Sequence, residues 1–205
     1  LQSWTVASRK QNRLLAGRFR ARAGGQRFVV VTYHMPCLFG EPPNRQAKAI
    51  HTAILRDEAL RFAGDLDLII GGDFNTKPHD SEIELFMDGK LDSADEARPP
   101  EVPGLSLDDW LPTTGPSLRS AYAEALGSEP EFTNYAWIEN QPEPFKETID
   151  YVFVSEGVEV VGVLGLPVVA PGDAPFPSAS EPSDHVLLAA DLFLGGRPGG
   201  AKKGA

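Results

Sequence analysis

Two apolar runs, Phe28-Val29-Val30-Val31 and Leu68-Ile69-Ile70, bracket a segment whose apolar residues recur at helical spacing. Runs rich in β-branched residues favour an extended chain, and a continuous run suits a strand covered on both faces. Strand, helix and strand in that order form the signature of a βαβ unit, whose two strands are parallel. This pattern predicts a domain of the α/β (α+β) class.

The intervening helix is expected to follow Pro42-Pro43, with Asn44 as its cap. Ala47, Ile50, Ile54, Ala59 and Phe62 mark its apolar stripe; Arg45, Lys48, Arg56, Asp57, Glu58 and Arg61 mark its wet side. Gly64 ends it. Upstream, Leu14 to Phe19 reads as a strand joined to the first apolar run by Ala23-Gly24-Gly25-Gln26. Downstream, residues 80–131 are acidic, rich in Pro, Ser and Gly, and poorly periodic. Short helices are expected over 81–87 and 118–126, with a long loop between them. Three late strands are expected at 149–154, 158–164 and 186–193. The five prolines of residues 165–183 predict an irregular crossover, and the Gly-rich tail 195–205 a disordered end.

Composition narrows the function classes. The 205 residues are 41% hydrophobic and 23% charged, ordinary for one globular domain. The single cysteine, Cys37, excludes an internal disulfide framework. No apolar run approaches the roughly 20 residues of a membrane helix, and no basic-then-apolar leader occurs. An intracellular, cytoplasmic protein that avoids membranes is expected. The net charge of −10 argues against passive binding to nucleic acid. Residues 1–27, however, carry seven basic groups and no acid. That segment suits either phosphate contact or an edge strand with solvated arginines.

The polar residues with chemical potential gather at strand ends. Tyr33-His34 closes one strand, and Gly71-Gly72-Asp73-Phe74-Asn75 follows another. Asp150 interrupts the apolar run Ile149-Asp150-Tyr151-Val152-Phe153, and Ser183-Asp184-His185 precedes a third apolar run. A carboxylate inside such a strand is costly unless paired. An imidazole bound to a buried carboxylate has its tautomer fixed and its basicity raised. Carboxylates and a carboxamide supply hard oxygens for Mg²⁺. There is no Gly-x-Ser-x-Gly elbow and no Gly-x-x-x-x-Gly-Lys loop. His51 is expected at a surface or boundary, His79 in loop structure, and Trp4, Trp110 and Trp137 as core or loop anchors.

In order and approximate spacing, the four clusters Tyr33-His34, Gly72-Asp73-Phe74-Asn75, Ile149-Asp150-Tyr151 and Ser183-Asp184-His185 resemble the signature of the endonuclease/exonuclease/phosphatase superfamily. Leu118-Arg119-Ser120-Ala121-Tyr122, Phe132-Thr133-Asn134-Tyr135 and Leu164-Gly165-Leu166-Pro167 are similar to its poly(A)-deadenylase branch, which includes nocturnin-like, Angel-like and 2′,5′-phosphodiesterase-like proteins. The resemblance implies a deoxyribonuclease-I-like four-layer β-sandwich flanked by helices. It implies Asp73 as the residue that orients or deprotonates water, with Asn75 its partner at the scissile phosphate. It implies His185 and His34 as phosphate-binding histidines, with Asp150 the carboxylate partner of His185. Asp184 and Asp73 would face Mg²⁺, with Mn²⁺ as an alternative. Asn134 and Phe145 would bind substrate, Phe145 by stacking on a base.

The chain departs from the family in its N-terminal part, where both the Glu motif and the Asn on the strand before it are missing, and in the longer interval between Asn134 and Asp150. The family's principal metal ligand is a Glu in a Leu-Gln-Glu motif of the N-terminal half; Leu1-Gln2-Ser3 lacks it, and no acid precedes Glu41. Residues 1–194 are therefore expected to be the C-terminal portion of such a domain. The expected function is a Mg²⁺-dependent phosphodiesterase, foremost a deadenylase-like 3′-to-5′ exoribonuclease acting on single-stranded RNA. The alternatives are a small-nucleotide or other phosphoester hydrolase, and an inactive remnant serving as an interaction module.

Overall fold

The computed structural model describes residues 2–102, 115–170 and 172–195. Helix α1 (Gln2–Arg9) leads into strands β1 (Leu14–Arg20) and β2 (Arg27–Tyr33). Helix α2 (Pro42–Ala63), strand β3 (Asp67–Asp73) and helix α3 (Ser81–Asp88) follow. Strand β4 (Leu118–Ser120) runs directly into helix α4 (Ala121–Leu126). Strands β5 (Asn134–Ala136), β6 (Phe145–Glu147), β7 (Asp150–Ser155), β8 (Val158–Val163) and β9 (Ala190–Leu194) complete the described elements.

The sheet order is β1-β2-β3-β7-β4, with β2 and β3 parallel and the other neighbours antiparallel. The expected βαβ unit is therefore present, with α2 as its crossover. The register pairs Val29 with Leu68 and Val31 with Ile70, so these four side chains share one face. They join Leu55, Ala59 and Ala63 of α2 and Ile83 and Phe86 of α3 in the main core. Phe74 anchors that core edge-on to Phe86 at 4.9 Å and to Phe153 at 5.0 Å between ring centroids. Each such ring stabilises the fold by roughly 1.5–3 kcal/mol through its burial.

The opposite face is less covered than the apolar run Phe28–Val31 suggests. Phe28 and Val30 are only half-buried, and Leu15, opposite Thr32 on β1, is 70% exposed. The helices cover one side of the sheet, and continuous hydrophobicity here does not mean equal burial on both. Strand β1 is the sheet edge, as one reading of the basic segment expects. Arg18 on it bonds the Phe62 carbonyl at 2.9 Å and lies over the Phe62 ring.

Several local expectations are corrected. Pro42 opens α2 and Glu41 is its cap residue, while Asn44 donates to the Phe39 carbonyl. Lys48 and Arg56, expected on the wet side, are buried, and Ile54, expected inside, is 55% exposed. The cause is that α2 touches α1 and α3 as well as the sheet. Arg56 is buried because its guanidinium bonds the Phe86, Met87, Gly115 and Pro116 carbonyls. The helix expected over 118–126 begins as a strand, because Leu118–Ser120 pair with β7 and Ser120 then caps α4. The last strand starts at Ala190 rather than Val186. The β5–β6 ribbon has no counterpart in the expectations. Trp110 lies outside the described residues, as does the expected disordered tail beyond Gly195.

Candidate active site

Backbone geometry brings the site together at the ends of β2, β3 and β7. Tyr33 ends β2 and Asp73 ends β3. Met35 N–H donates to the Asp73 carbonyl at 2.8 Å, tying the chain after His34 to the strand beside it. Gly72 lets the two strands approach so closely: a Cβ there would lie 2.1 Å from the Tyr33 carbonyl oxygen. On the other side of β3 the antiparallel register sets Asp73 directly opposite Asp150. One sheet thus presents two carboxylates on neighbouring strands.

Asp73 is held from below. Its Oδ1 accepts the Asn75 backbone N–H at 2.8 Å, and its Oδ2 accepts Asn75 Nδ2 at 3.2 Å. Asn75 adopts the left-handed region, with φ of 45°, a conformation tolerated by Asn better than by most residues. Its Nδ2 also donates to the Met35 carbonyl at 2.9 Å, so both amide hydrogens are engaged. Lys48, 1% exposed, donates to the Asn75 carbonyl at 3.0 Å. His34 Nε2 lies 3.3 Å from Asp73 Oδ2.

Asp150 holds His185. The imidazole Nδ1 stands 2.8 Å from Asp150 Oδ2 and 3.1 Å from Oδ1. Thr133 Oγ1 donates to Asp150 Oδ2 at 2.8 Å and accepts the Ile149 and Asp150 backbone N–H groups at 2.9 Å each. The segment carrying His185 runs beside β5: Tyr135 N–H donates to the Asp184 carbonyl at 3.0 Å and Val186 N–H to the Thr133 carbonyl at 2.9 Å.

The electrostatics follow from this packing. Burial pushes the Asp73 carboxyl pKa up, and the facing Asp150 adds to the shift; the Asn75 N–H and the two histidines oppose it. The bond to Asp150 raises the His185 pKa, favouring its charged form. Asp73, Asp150 and His185 each place a ligand atom within 4.8 Å of the others, the one such group among the described residues. Two opposed carboxylates on neighbouring strands suit a hard divalent cation whose shell is completed by water. Asp184 stands apart from this group, and its Oδ2 accepts from Asn134 Nδ2 at 3.4 Å.

A cavity of about 810 Å³ opens beside these groups, lined by Asn75, Asn134, Phe145, Asp184 and His185 among others. Phe145 and Phe39 line it 6.2 Å apart between centroids. Lys77 lies over the Phe145 ring and pairs with Glu147; Lys48 lies over Phe39. All eight residues singled out from the sequence thus fall in or beside one region. Thr133 and Lys48 were missed as site residues. The buried hydroxyl of Thr133 was legible only within Phe132-Thr133-Asn134, and Lys48 was hidden by its apparent place on a wet helix face.

The comparisons agree with this architecture. Residues 1–185 match the model of the Endonuclease/Exonuclease/phosphatase family, and the chain belongs to that family. The Aspergillus niger CCR4-Not complex 3′-5′-exoribonuclease subunit Ccr4 is 32% identical over 212 aligned positions, which cover 87% of this chain and 30% of that protein. The Yarrowia lipolytica subunit of the same name is 28% identical, covering 86% of this chain and 27% of that protein. The chain therefore spans less than a third of the length of these relatives. Among solved structures, ANGEL2, a 2′,3′-cyclic phosphatase, in complex with adenosine-2′,3′-vanadate superposes with a TM-score of 0.66 at 20% identity. That match covers 92% of this chain and 63% of the other. The human nocturnin catalytic domain with bound sulfate gives a TM-score of 0.55 at 20% identity, covering 90% of this chain and 54% of the other. The fold is the deoxyribonuclease-I-like one expected from the sequence. Among the described residues no helix is long and apolar enough to cross a membrane.

Proposed function

We propose that this chain carries the hydrolytic site of a metal-dependent phosphodiesterase that removes nucleotides from the 3′ end of single-stranded RNA. The observation that carries the reading is the pairing of two units across one strand register. Asp73 braced by Asn75 faces Asp150 braced on His185, and both open beside a cavity with aromatic walls. The Ccr4 relatives are named as 3′-5′-exoribonucleases, which supports RNA as the substrate of this chain.

Asp73 would orient the attacking water and take its proton. Asn75 acts through Asp73, since both its amide hydrogens are committed to Asp73 and Met35. His185, its charged form favoured by Asp150, would donate Nε2–H to a phosphoryl oxygen, and His34 would meet the phosphate beside Asp73. The oxygen of water bonds to phosphorus as the bond to the leaving oxygen breaks. A divalent cation, Mg²⁺ foremost, would be held by the Asp73 and Asp150 carboxylates and would neutralise charge on the phosphoryl group. Asp184 would contribute through Asn134 and the cavity wall. Asn134 and Phe145 would receive the base.

The test uses 5′-labelled oligoadenylate with Mg²⁺ or Mn²⁺. A ladder shortening one nucleotide at a time from the 3′ end, lost in Asp73→Asn and His185→Ala, is the expected result. Inert RNA together with phosphate release from a mononucleotide would move the reading to a small-nucleotide phosphatase. Inertness toward both would leave the interaction-module reading.

A further inference from the structure

We propose that Trp137 is a stacking platform for a second unpaired base, neighbouring the nucleotide at the scissile phosphate. This rests on the phosphodiesterase reading above and extends it to how the substrate strand is held.

The sequence suggests an anchor role for Trp137, but the structure gives it none. The residue is 62% exposed, and among the described residues its indole makes no hydrogen bond and no ring contact. Trp4, by contrast, is half-buried and packs against a cluster formed by α1 and α2. A bare indole is large apolar surface left in water, and such surface at the mouth of a site is a mark of binding. Trp137 lines the same 810 Å³ cavity as Asn75, Asp184 and His185.

Its placement is fixed by the ribbon. Asn134 on β5 bridges to His185, and Ala136 pairs with Phe145 and bridges to Phe176. Trp137 follows Ala136 directly, three residues beyond the His185 bridge. At the rise of an extended chain that is about 10 Å. The indole therefore sits at the cavity but removed from the reacting group, where a neighbouring nucleotide would lie.

Local charge identifies which part of the nucleotide it meets. The loop after Trp137 carries Glu139 and Glu143, and Glu143 lines the cavity. Carboxylates repel a phosphate, so this end of the cavity suits an uncharged base face. Lys77 and Lys146 also line the cavity, paired with Glu147 and Glu131, so its positive charge lies on the β6 side, away from the loop after Trp137. Stacking on an indole is tolerant of base identity, so the platform would select for strand length rather than for sequence.

The experiment compares the wild-type chain, Trp137→Ala and Trp137→Phe on a pentaadenylate and on bis(p-nitrophenyl) phosphate, which lacks a second base. Trp137→Ala is expected to raise KM for the pentanucleotide about tenfold. That penalty should be at least about fivefold larger than the one on the small diester, with Trp137→Phe recovering most of it. Binding of the pentanucleotide should also quench tryptophan emission in the wild-type chain, and Trp137→Ala should abolish the quench. Equal penalties on both substrates, or a quench that survives the substitution, would overturn the platform. Absence of hydrolysis by the wild-type chain would overturn the phosphodiesterase reading instead, while the quench would still decide the role of Trp137.

Discussion

Asp150 Oδ2 lies 2.8 Å from His185 Nδ1 and accepts the Thr133 hydroxyl at the same distance. One carboxylate oxygen thus joins the ribbon, the sheet and the segment that carries the histidine. Asp150→Asn keeps the shape but weakens the hold on a charged imidazole. It should lower kcat by about 10²–10⁴ with a much smaller change in KM. Thr133→Val removes a hydroxyl that serves two backbone N–H groups and a carboxylate. It should cost about 1–3 kcal/mol in urea unfolding as well as activity. Retention of full kcat in Asp150→Asn would sink the proposed role of the pair.

Lys48 is a buried amine beneath the loop that carries Asn75. Its Nζ stands 3.8 Å from Asp80 Oδ2 and 3.8 Å from the fully buried Glu82 Oε1. Burial lowers the Lys48 pKa, and the two acids resist that shift. Lys48→Met should destabilise the chain by roughly 1–3 kcal/mol, chiefly by leaving Glu82 Oε1 without its cation while Arg45 still holds Oε2. The double variant Lys48→Met, Glu82→Gln should recover at least half of that loss. Urea titration of the single and double variants decides between this account and a simple packing defect.

Gly72 of β3 lies against the Tyr33 carbonyl at the end of the parallel strand β2. Gly72→Ala would press a methyl group against the Tyr33 carbonyl and force the strand ends apart. The expected cost is about 1–3 kcal/mol. Activity should fall further than stability because His34 and Asp73 move with those ends. Thermal unfolding and kcat measured on the same sample separate the two effects.

His51 joins two elements across α2. Its Nδ1 is 2.8 Å from the Tyr33 hydroxyl and its Nε2 is 3.1 Å from the Ala7 carbonyl. Burial lowers its pKa, so the unfolded chain binds a proton that the folded chain resists. Stability on this account is level above pH of about 6.5, falls as pH drops below that value, and flattens below the folded pKa. His51→Gln should reduce the slope of Tm against pH between about 6.5 and 5. An unchanged slope would remove His51 from that dependence.

Binding of Mg²⁺ to the folded chain should raise Tm in a concentration-dependent way. A free concentration near 100 times Kd corresponds to about 2.7 kcal/mol. Asp73→Asn should reduce that shift, and EDTA should reverse it.

The βαβ unit was legible because its apolar runs and its glycine stop are local signals, and Gly64 does end α2. The four polar clusters were legible because Asp73, Asp150 and His185 interrupt or border apolar strands, where a charge demands a partner. The periphery was not legible in the same way. The β5–β6 ribbon is three residues a side with no alternating pattern. Lys48 and Arg56 carry the composition of a solvated face, and only the elements packed on α2 turn them inward. The exposure of Trp137 is likewise a tertiary fact: the residue type alone suggests an anchor.

The ribbon has a consequence for how the proposed site would fail. A two-stranded ribbon is marginal alone, and this one is fastened to the segment with His185 by a few backbone bonds. Asp73 and Asn75 belong to the end of the central sheet, whereas Asn134, Phe145, Trp137 and His185 belong to the ribbon and its neighbour. If the ribbon opens as a unit, it disperses the substrate wall and the histidine together while the core stays folded. Heat inactivation would then run ahead of global melting, and loss of turnover would report the fraying of one small patch rather than the collapse of the chain.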